Sequence, residues 1–153
     1  MFVNRLAQGS RYFEISSILY FLFILILINK CNSQEDCHYL QKLEEEAITE
    51  YFRNPNYPGT ISGSVYCIWE VYTWIDRRVS LNCQEFTVPS SLLCATQSFN
   101  VYTNPKSVGN LVPQVFCGSG SFSLISTNNT LRVIYRSTLL GGPARFNCAL
   151  NIV

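Results

Sequence analysis

The sequence predicts an all-β protein: an antiparallel sandwich of two sheets, crosslinked by disulfides. Three observations carry this prediction. Apolar residues recur with a period of two through most of the chain, as half-buried strands require. Clusters of Pro, Gly, Asn and Asp punctuate these runs at short intervals. Beyond an apolar leader lie six cysteines, Cys37, Cys67, Cys83, Cys94, Cys117 and Cys148. An even number in a small secreted chain implies a disulfide framework.

The leader comes first. Arg5 and Arg11 precede the apolar run ILYFLFILILI at 18–28. That run is about half of the roughly 20 residues a membrane-spanning helix needs, and it suits the core of a secretory signal. Cys31-Asn32-Ser33 places small residues where a signal peptidase reads, so residues 1–33 are expected to be removed. The remainder, 34–153, is long enough for one domain. Cleavage removes Arg5, Glu14, Arg11, Lys30 and the seventh cysteine, Cys31, and turns the formal charge of the 153-residue chain from +1 to −1. A near-neutral product gives no reason to invoke nucleic acid or an anionic membrane. The charge is unevenly placed, with no Asp or Glu from Phe86 to Val153.

LQKLEEEAITEYF at 40–52 is the only helical candidate. Its second half alternates, with Ile48, Glu50 and Phe52 on one face, so it reads as a turn at Glu44–Glu46 and then a strand. NPNYPGT follows as a turn in which Tyr57 is expected to pack inward and one X-Pro bond suits the cis form. Val65, Cys67, Trp69, Val71, Thr73 and Ile75 then share a face, which makes Cys67 and Trp69 buried scaffold. After IDRR come Val79, Leu81 and Cys83. Phe99 and Val101 form the next run, TNPKSVGN a turn, and Phe122 and Leu124 another strand. STNNT turns into Leu131, Val133 and Tyr135, and LLGGP into Phe146, Cys148, Leu150 and Ile152. Cys83 and Cys148 lie on apolar strand faces and point into the core. Six cysteines allow 15 pairings, and direction alone does not choose among them.

Chemistry-bearing patterns are few. Zinc lacks its close-spaced ligand pairs, because there is no CxxC and one histidine, His38. That histidine reads as an exposed bystander, and Glu44, Glu45 and Glu46 as a solvated loop. No nucleophile, base and orienting group assemble, so no catalytic residue is assigned. Asn128-Asn129-Thr130 is a glycosylation sequon in a turn. Tyr66, Tyr72 and Trp74 fall on the face opposite Trp69, where aromatics suit a contact patch. Arg77, Arg78, Lys106, Arg132, Arg136 and Arg145 are scattered candidates for a basic patch.

Several stretches together resemble a family. Cys37, NPNYP, Cys67-Ile68-Trp69, Leu81 and Phe86 in LNCQEF, Cys94, the FCG of 116–118 and STNNTLRVIYRS at 126–137 are similar, in order and spacing, to a CUB domain. LNCQEFTVP, CGSGSF and GGPARFNC resemble the CUB variant at the N-terminus of some arthropod secreted serine proteases, which carries an extra cysteine pair. The resemblance implies a jelly-roll type sandwich over 34–153. It also implies the bridges Cys37–Cys67, Cys94–Cys117 and, as the extra pair, Cys83–Cys148. The family's calcium site uses carboxylates at three positions that here read Pro89, Gln97 and Thr138. No metal ligand and no cofactor are therefore expected. The expected function is that of a secreted, non-enzymatic recognition module binding an extracellular protein or glycan, without nucleic acid or a stable membrane anchor. The alternative is the truncated N-terminal regulatory domain of a secreted CUB serine protease, with association to a serine protease as its corollary. A small inhibitor or toxin-like effector is a third reading.

Overall fold

The computed structural model describes Tyr20 and residues 35–106 and 112–153. Apart from Tyr20, the expected leader, with Cys31, lies outside the described residues, as does the later part of the TNPKSVGN turn. Among the described residues nine strands follow one another: β1 (Glu35–Lys42), β2 (Glu50–Arg53), β3 (Val65–Tyr72), β4 (Val79–Val88), β5 (Gln97–Tyr102), β6 (Gln114–Phe116), β7 (Gly118–Ile125), β8 (Thr130–Ser137) and β9 (Arg145–Ile152). They form a five-stranded sheet, β1-β3-β8-β5-β6, and a four-stranded sheet, β2-β9-β4-β7. A 3₁₀ turn spans Leu92–Cys94.

Alternation places the core. Val65, Cys67, Trp69 and Val71 of β3 are buried, and so are Leu131, Val133 and Tyr135 of β8 and Phe99 and Val101 of β5. From the other sheet come Val79, Leu81 and Cys83 of β4, with Phe146, Cys148, Leu150 and Ile152 of β9. Phe122 and Leu124 of the edge strand β7 pack against this core but stay partly exposed. Ile75 departs from the expected face. The strand ends at Tyr72, and Ile75 sits in the following turn, 93% exposed. Ile48 likewise precedes β2 and is exposed, leaving Phe52 as the buried residue of that strand.

Three further features correct the sequence reading. β1 is a strand, and it pairs with β3 in parallel, with Cys37 opposite Cys67 and Tyr39 opposite Trp69. Every other ladder is antiparallel. Its charged, half-exposed composition hid it from a search for apolar alternation. Second, β4 carries an irregularity between Cys83 and Phe86, where the register shifts against both neighbours. Gln84 and Glu85 are both exposed, and the phase then restores Phe86 and Val88 to the core, as a β-bulge does. Third, Tyr57 does not pack inward. It is half-buried, its hydroxyl donates to Glu85 at 3.0 Å, and Arg53 lies over its ring.

The NPNYP turn is nonetheless scaffold. Buried Asn54 donates from Nδ2 to the carbonyls of Pro55 and Gly59, and its Oδ1 accepts from the Phe146 amide at 3.0 Å. One side chain thus ties the turn to β9, satisfying backbone groups that would otherwise be stranded. The Tyr57–Pro58 peptide bond is cis.

Aromatic rings fill the space between the sheets. Phe52 of the four-stranded sheet meets Trp69 at 5.2 Å and Phe99 at 6.1 Å, while Phe146 meets Phe99 at 5.1 Å and Tyr135 at 5.3 Å. Phe86 packs edge-on against Phe99, and Phe116 stacks on Phe122. Each such ring contributes about 1.5–3 kcal/mol through burial. Disulfides join Cys37 to Cys67, Cys83 to Cys148 and Cys94 to Cys117.

Candidate functional site

One end of the sandwich gathers the three positions singled out as Pro89, Gln97 and Thr138. Gln97 opens β5 and is 1% exposed. Its Nε2 donates to the Gly142 carbonyl, and its Oε1 accepts from the Tyr135 hydroxyl at 3.1 Å. A carboxamide owns both a donor and an acceptor, so it serves both partners without help. Burial raises the Tyr135 phenol above its ordinary range and keeps it a donor, with Ser137 opposing more weakly. Thr138 donates its amide to the Thr96 carbonyl and accepts from the Gly141 amide. Gly141 lies so close to Ser137 Oγ and the Gln97 side chain that a Cβ there would collide with both, and Gly142 abuts Pro89. The end is therefore closed by neutral groups.

The loops that close it are uncharged and apolar at their tips. The loop at 90–96 presents Leu92 and Leu93, and the loop at 138–143 presents Leu139 and Leu140. These four leucines are between 57% and 90% exposed. The first pair is held by the Cys94–Cys117 bridge, with Leu93 and Cys94 both at positive φ. Non-glycine residues adopt that conformation only where surrounding structure imposes it. A pair of rigid loops that exposes four leucines is a contact surface in form.

A second concavity opens where the edge strands β1 and β2 face each other without pairing. It is an open groove of about 460 Å³. Tyr39 stacks on Trp69 at 5.6 Å and 19°, and Phe52 lies beneath. Gln41 Nε2 reaches across to Glu50 Oε2 at 3.3 Å, and Tyr51 and Arg53 stand at the rim.

The remaining candidates are dispersed. His38 is exposed on the outer face of the five-stranded sheet, 3.3 Å from Glu70, whose carboxylate is also bound by Arg132. Burial pushes the Glu70 carboxyl up, but the Arg132 hydrogen bond and charge, then those of His38, outweigh it and leave it below the usual range. Among the described residues, no three His, Cys, Asp or Glu side chains converge as metal ligands would. Tyr66 and Tyr72 lie on that same outer face, and Trp74 beyond it takes the Lys42 ammonium over its ring. The basic residues divide: Arg132 and Arg136 on one sheet, Arg145 on the other, Arg77 paired with Glu46 at 2.7 Å. Asn128 sits in the β7–β8 turn. Its Oδ1 accepts from the Thr130 amide and hydroxyl, and its Nδ2 donates to Asn104.

The disulfide-bonded two-sheet sandwich places the chain among the protein-interaction modules of extracellular proteins. The CUB domain profile matches residues 31–147, and the chain belongs to this family. CUB and zona pellucida-like domain-containing protein 1 of Rattus norvegicus is 29% identical over 96 residues, covering 63% of this chain. The chain spans 15% of that relative's length. Among solved structures, the CUB1-EGF-CUB2 domains of rat MASP-1 superpose with a TM-score of 0.61 at 21% identity, over 74% of this chain and 42% of theirs. The MASP-1 CUB2 domain bound to Ca2+ gives 0.56 at 15% identity, over 72% of this chain and 96% of its own. These two likenesses speak for the fold.

The calcium of that last structure prompts a test of fit here. Calcium takes six to eight oxygens, with carboxylates supplying most of the attraction. Pro89, Gln97 and Thr138 offer no carboxylate, and the one buried amide already holds Tyr135 and Gly142. This donor set does not fit the ion.

Sequence reasoning missed the aromatic cleft. Trp69 was legible as a core residue, but its partner wall, Tyr39 and Gln41, lies on a strand that composition disguised.

Proposed function

We propose that the chain is a secreted, non-enzymatic recognition module that binds an extracellular protein or glycan without calcium. The observation that carries this is the closed, neutral end of the sandwich. Four exposed leucines stand there on two loops that carry no charge, so apolar contact is what this end offers a partner. The sequon at Asn128, in a half-buried turn between β7 and β8, fits passage through a secretory route.

Two measurements test the reading together. Calorimetric titration is expected to show no calcium binding tighter than about 1 mM. Partners captured from extracellular fluid are expected to remain bound in EDTA and to be lost by a Leu92→Ser, Leu93→Ser, Leu139→Ser, Leu140→Ser variant. Capture that requires calcium, or that is indifferent to all four leucines, overturns this assignment of the contact surface.

A further inference from the structure

We propose that the cleft between β1 and β2 is a saccharide site for a neutral pyranose unit. This inference deepens the recognition reading and rests on it. The cleft's volume of about 460 Å³ falls in the range of small-ligand pockets, about 300–1,000 Å³. Its chemistry is two-sided in the way a sugar ring is. A pyranose shows polarised C–H groups on one face and hydroxyls around its rim. The negative face of an aromatic ring attracts the former, and side chains that both donate and accept take the latter.

Both parts are present. Tyr39 rests one ring face towards Trp69, yet is 45% exposed, so an aromatic surface is presented at the mouth of the cleft. Gln41 and Glu50 meet across the opening through an exposed contact of 3.3 Å. That contact is long for an amide–carboxylate hydrogen bond, and a ligand hydroxyl inserted between the two side chains would replace it at no net loss of bonds. The carboxylate of Glu50 and the guanidinium of Arg53 balance, which disfavours a sulfated or sialylated glycan and selects a neutral one. The fold leaves this gap open for a reason visible in the topology. β1 and β2 are the terminal strands of different sheets and pair only inward, to β3 and β9.

Trp69 provides the readout. In a Trp74→Phe background it is the sole tryptophan, and it lines the cleft. The full chain, recovered disulfide-bonded from secreting cells, is titrated with oligosaccharides of glucose, galactose, mannose and N-acetylglucosamine, and with sulfated and sialylated glycans as comparators. The expected result is a saturable fluorescence change with at least one neutral saccharide, weakened about tenfold by Tyr39→Ala, as loss of one good aromatic contact implies. Gln41→Ala is expected to weaken it several-fold with an unchanged melting temperature, which guards against an unfolded Tyr39 variant. No saturable response to any neutral saccharide overturns the proposal. So does a response confined to the acidic glycans, or one that both variants retain in full. If the cleft fails while captured partners still depend on the four leucines, the recognition reading stands and the saccharide site alone is lost.

Discussion

Replacing Gln97 by Asp puts a carboxylate at one of the three positions where the family resemblance implies one, and tests whether the neutral end is built around its amide. Gln97 is buried and bonded twice, to the Gly142 carbonyl and the Tyr135 hydroxyl. Aspartate lacks the donor and is one methylene shorter. The Gly142 carbonyl loses its partner and faces like charge, and the Tyr135 hydroxyl loses reach. Each stranded group costs about 1–3 kcal/mol, so Gln97→Asp is expected to destabilise by about 3 kcal/mol. For a domain of this size that lowers the melting temperature by about 10 °C. The sign with pH follows from burial. A desolvated carboxyl has a folded-state pKa above the unfolded value of about 3.9. The folded variant therefore binds a proton more tightly than the unfolded chain, and its deficit, complete at pH 7, shrinks as pH falls through the raised pKa. Thermal and urea denaturation of parent and variant at pH 7 and pH 5, with disulfides intact, measure both effects. A melting temperature within about 2 °C of the parent at pH 7, or recovery on adding millimolar calcium, would refute the reasoning.

Removing Cys83–Cys148 by a double alanine change should cost about 4.3 kcal/mol and removing Cys94–Cys117 about 3.4, from loop separations of 65 and 23 residues in the chain-entropy account. Chemical denaturation measures both, and the reverse order contradicts that account. Glu70→Gln should cost about 1 kcal/mol or less at pH 7, since the ion pair with Arg132 is half-exposed. The Glu70 carboxyl is held below its usual range, so its contribution is present above that range and vanishes as pH falls through the lowered value. A deficit that persists in acid contradicts the ion-pair explanation. Protein from secreting eukaryotic cells should lose mass on glycosidase treatment, and Asn128→Gln should abolish the difference; an unchanged mass in the parent refutes occupancy of the sequon.

What the sequence made legible was the part governed by strict alternation. β3, β8 and β9 each bury one face without interruption, so Trp69, Tyr135 and Phe146 could be placed inside from period alone. Legibility stopped where a neighbour, and not the strand itself, decides the outcome. β1 is held by a parallel ladder and a bridge to a strand 30 residues on, and nothing local marks it. β4 breaks phase at Gln84 and Glu85, which period-two counting reads as an ending, although the strand continues to Val88. Tyr57 follows neither rule. Its hydroxyl is drawn outward by Glu85, a residue that the same bulge turns to solvent. The closed end was half legible. The missing carboxylates could be counted, but that Gln97 spends both ends of its amide on its neighbours required the packed structure.

The covalent staples are distributed in a way that bears on how this protein comes apart. Cys37–Cys67 lies within the five-stranded layer and Cys83–Cys148 within the four-stranded one, and among the described residues no bridge ties a strand of one to a strand of the other. Lamination rests on the aromatic seam of Phe52, Phe99, Phe116, Phe122 and Phe146 with Trp69, Tyr135 and Phe86. Each leaf is sewn between its own strands, and Cys94–Cys117 ties only the short connections where the chain crosses from one leaf to the other. Warmed in its oxidised form, the molecule should delaminate before its leaves fray, and near-ultraviolet dichroism from the seam should fade at a lower temperature than the β signal of the backbone.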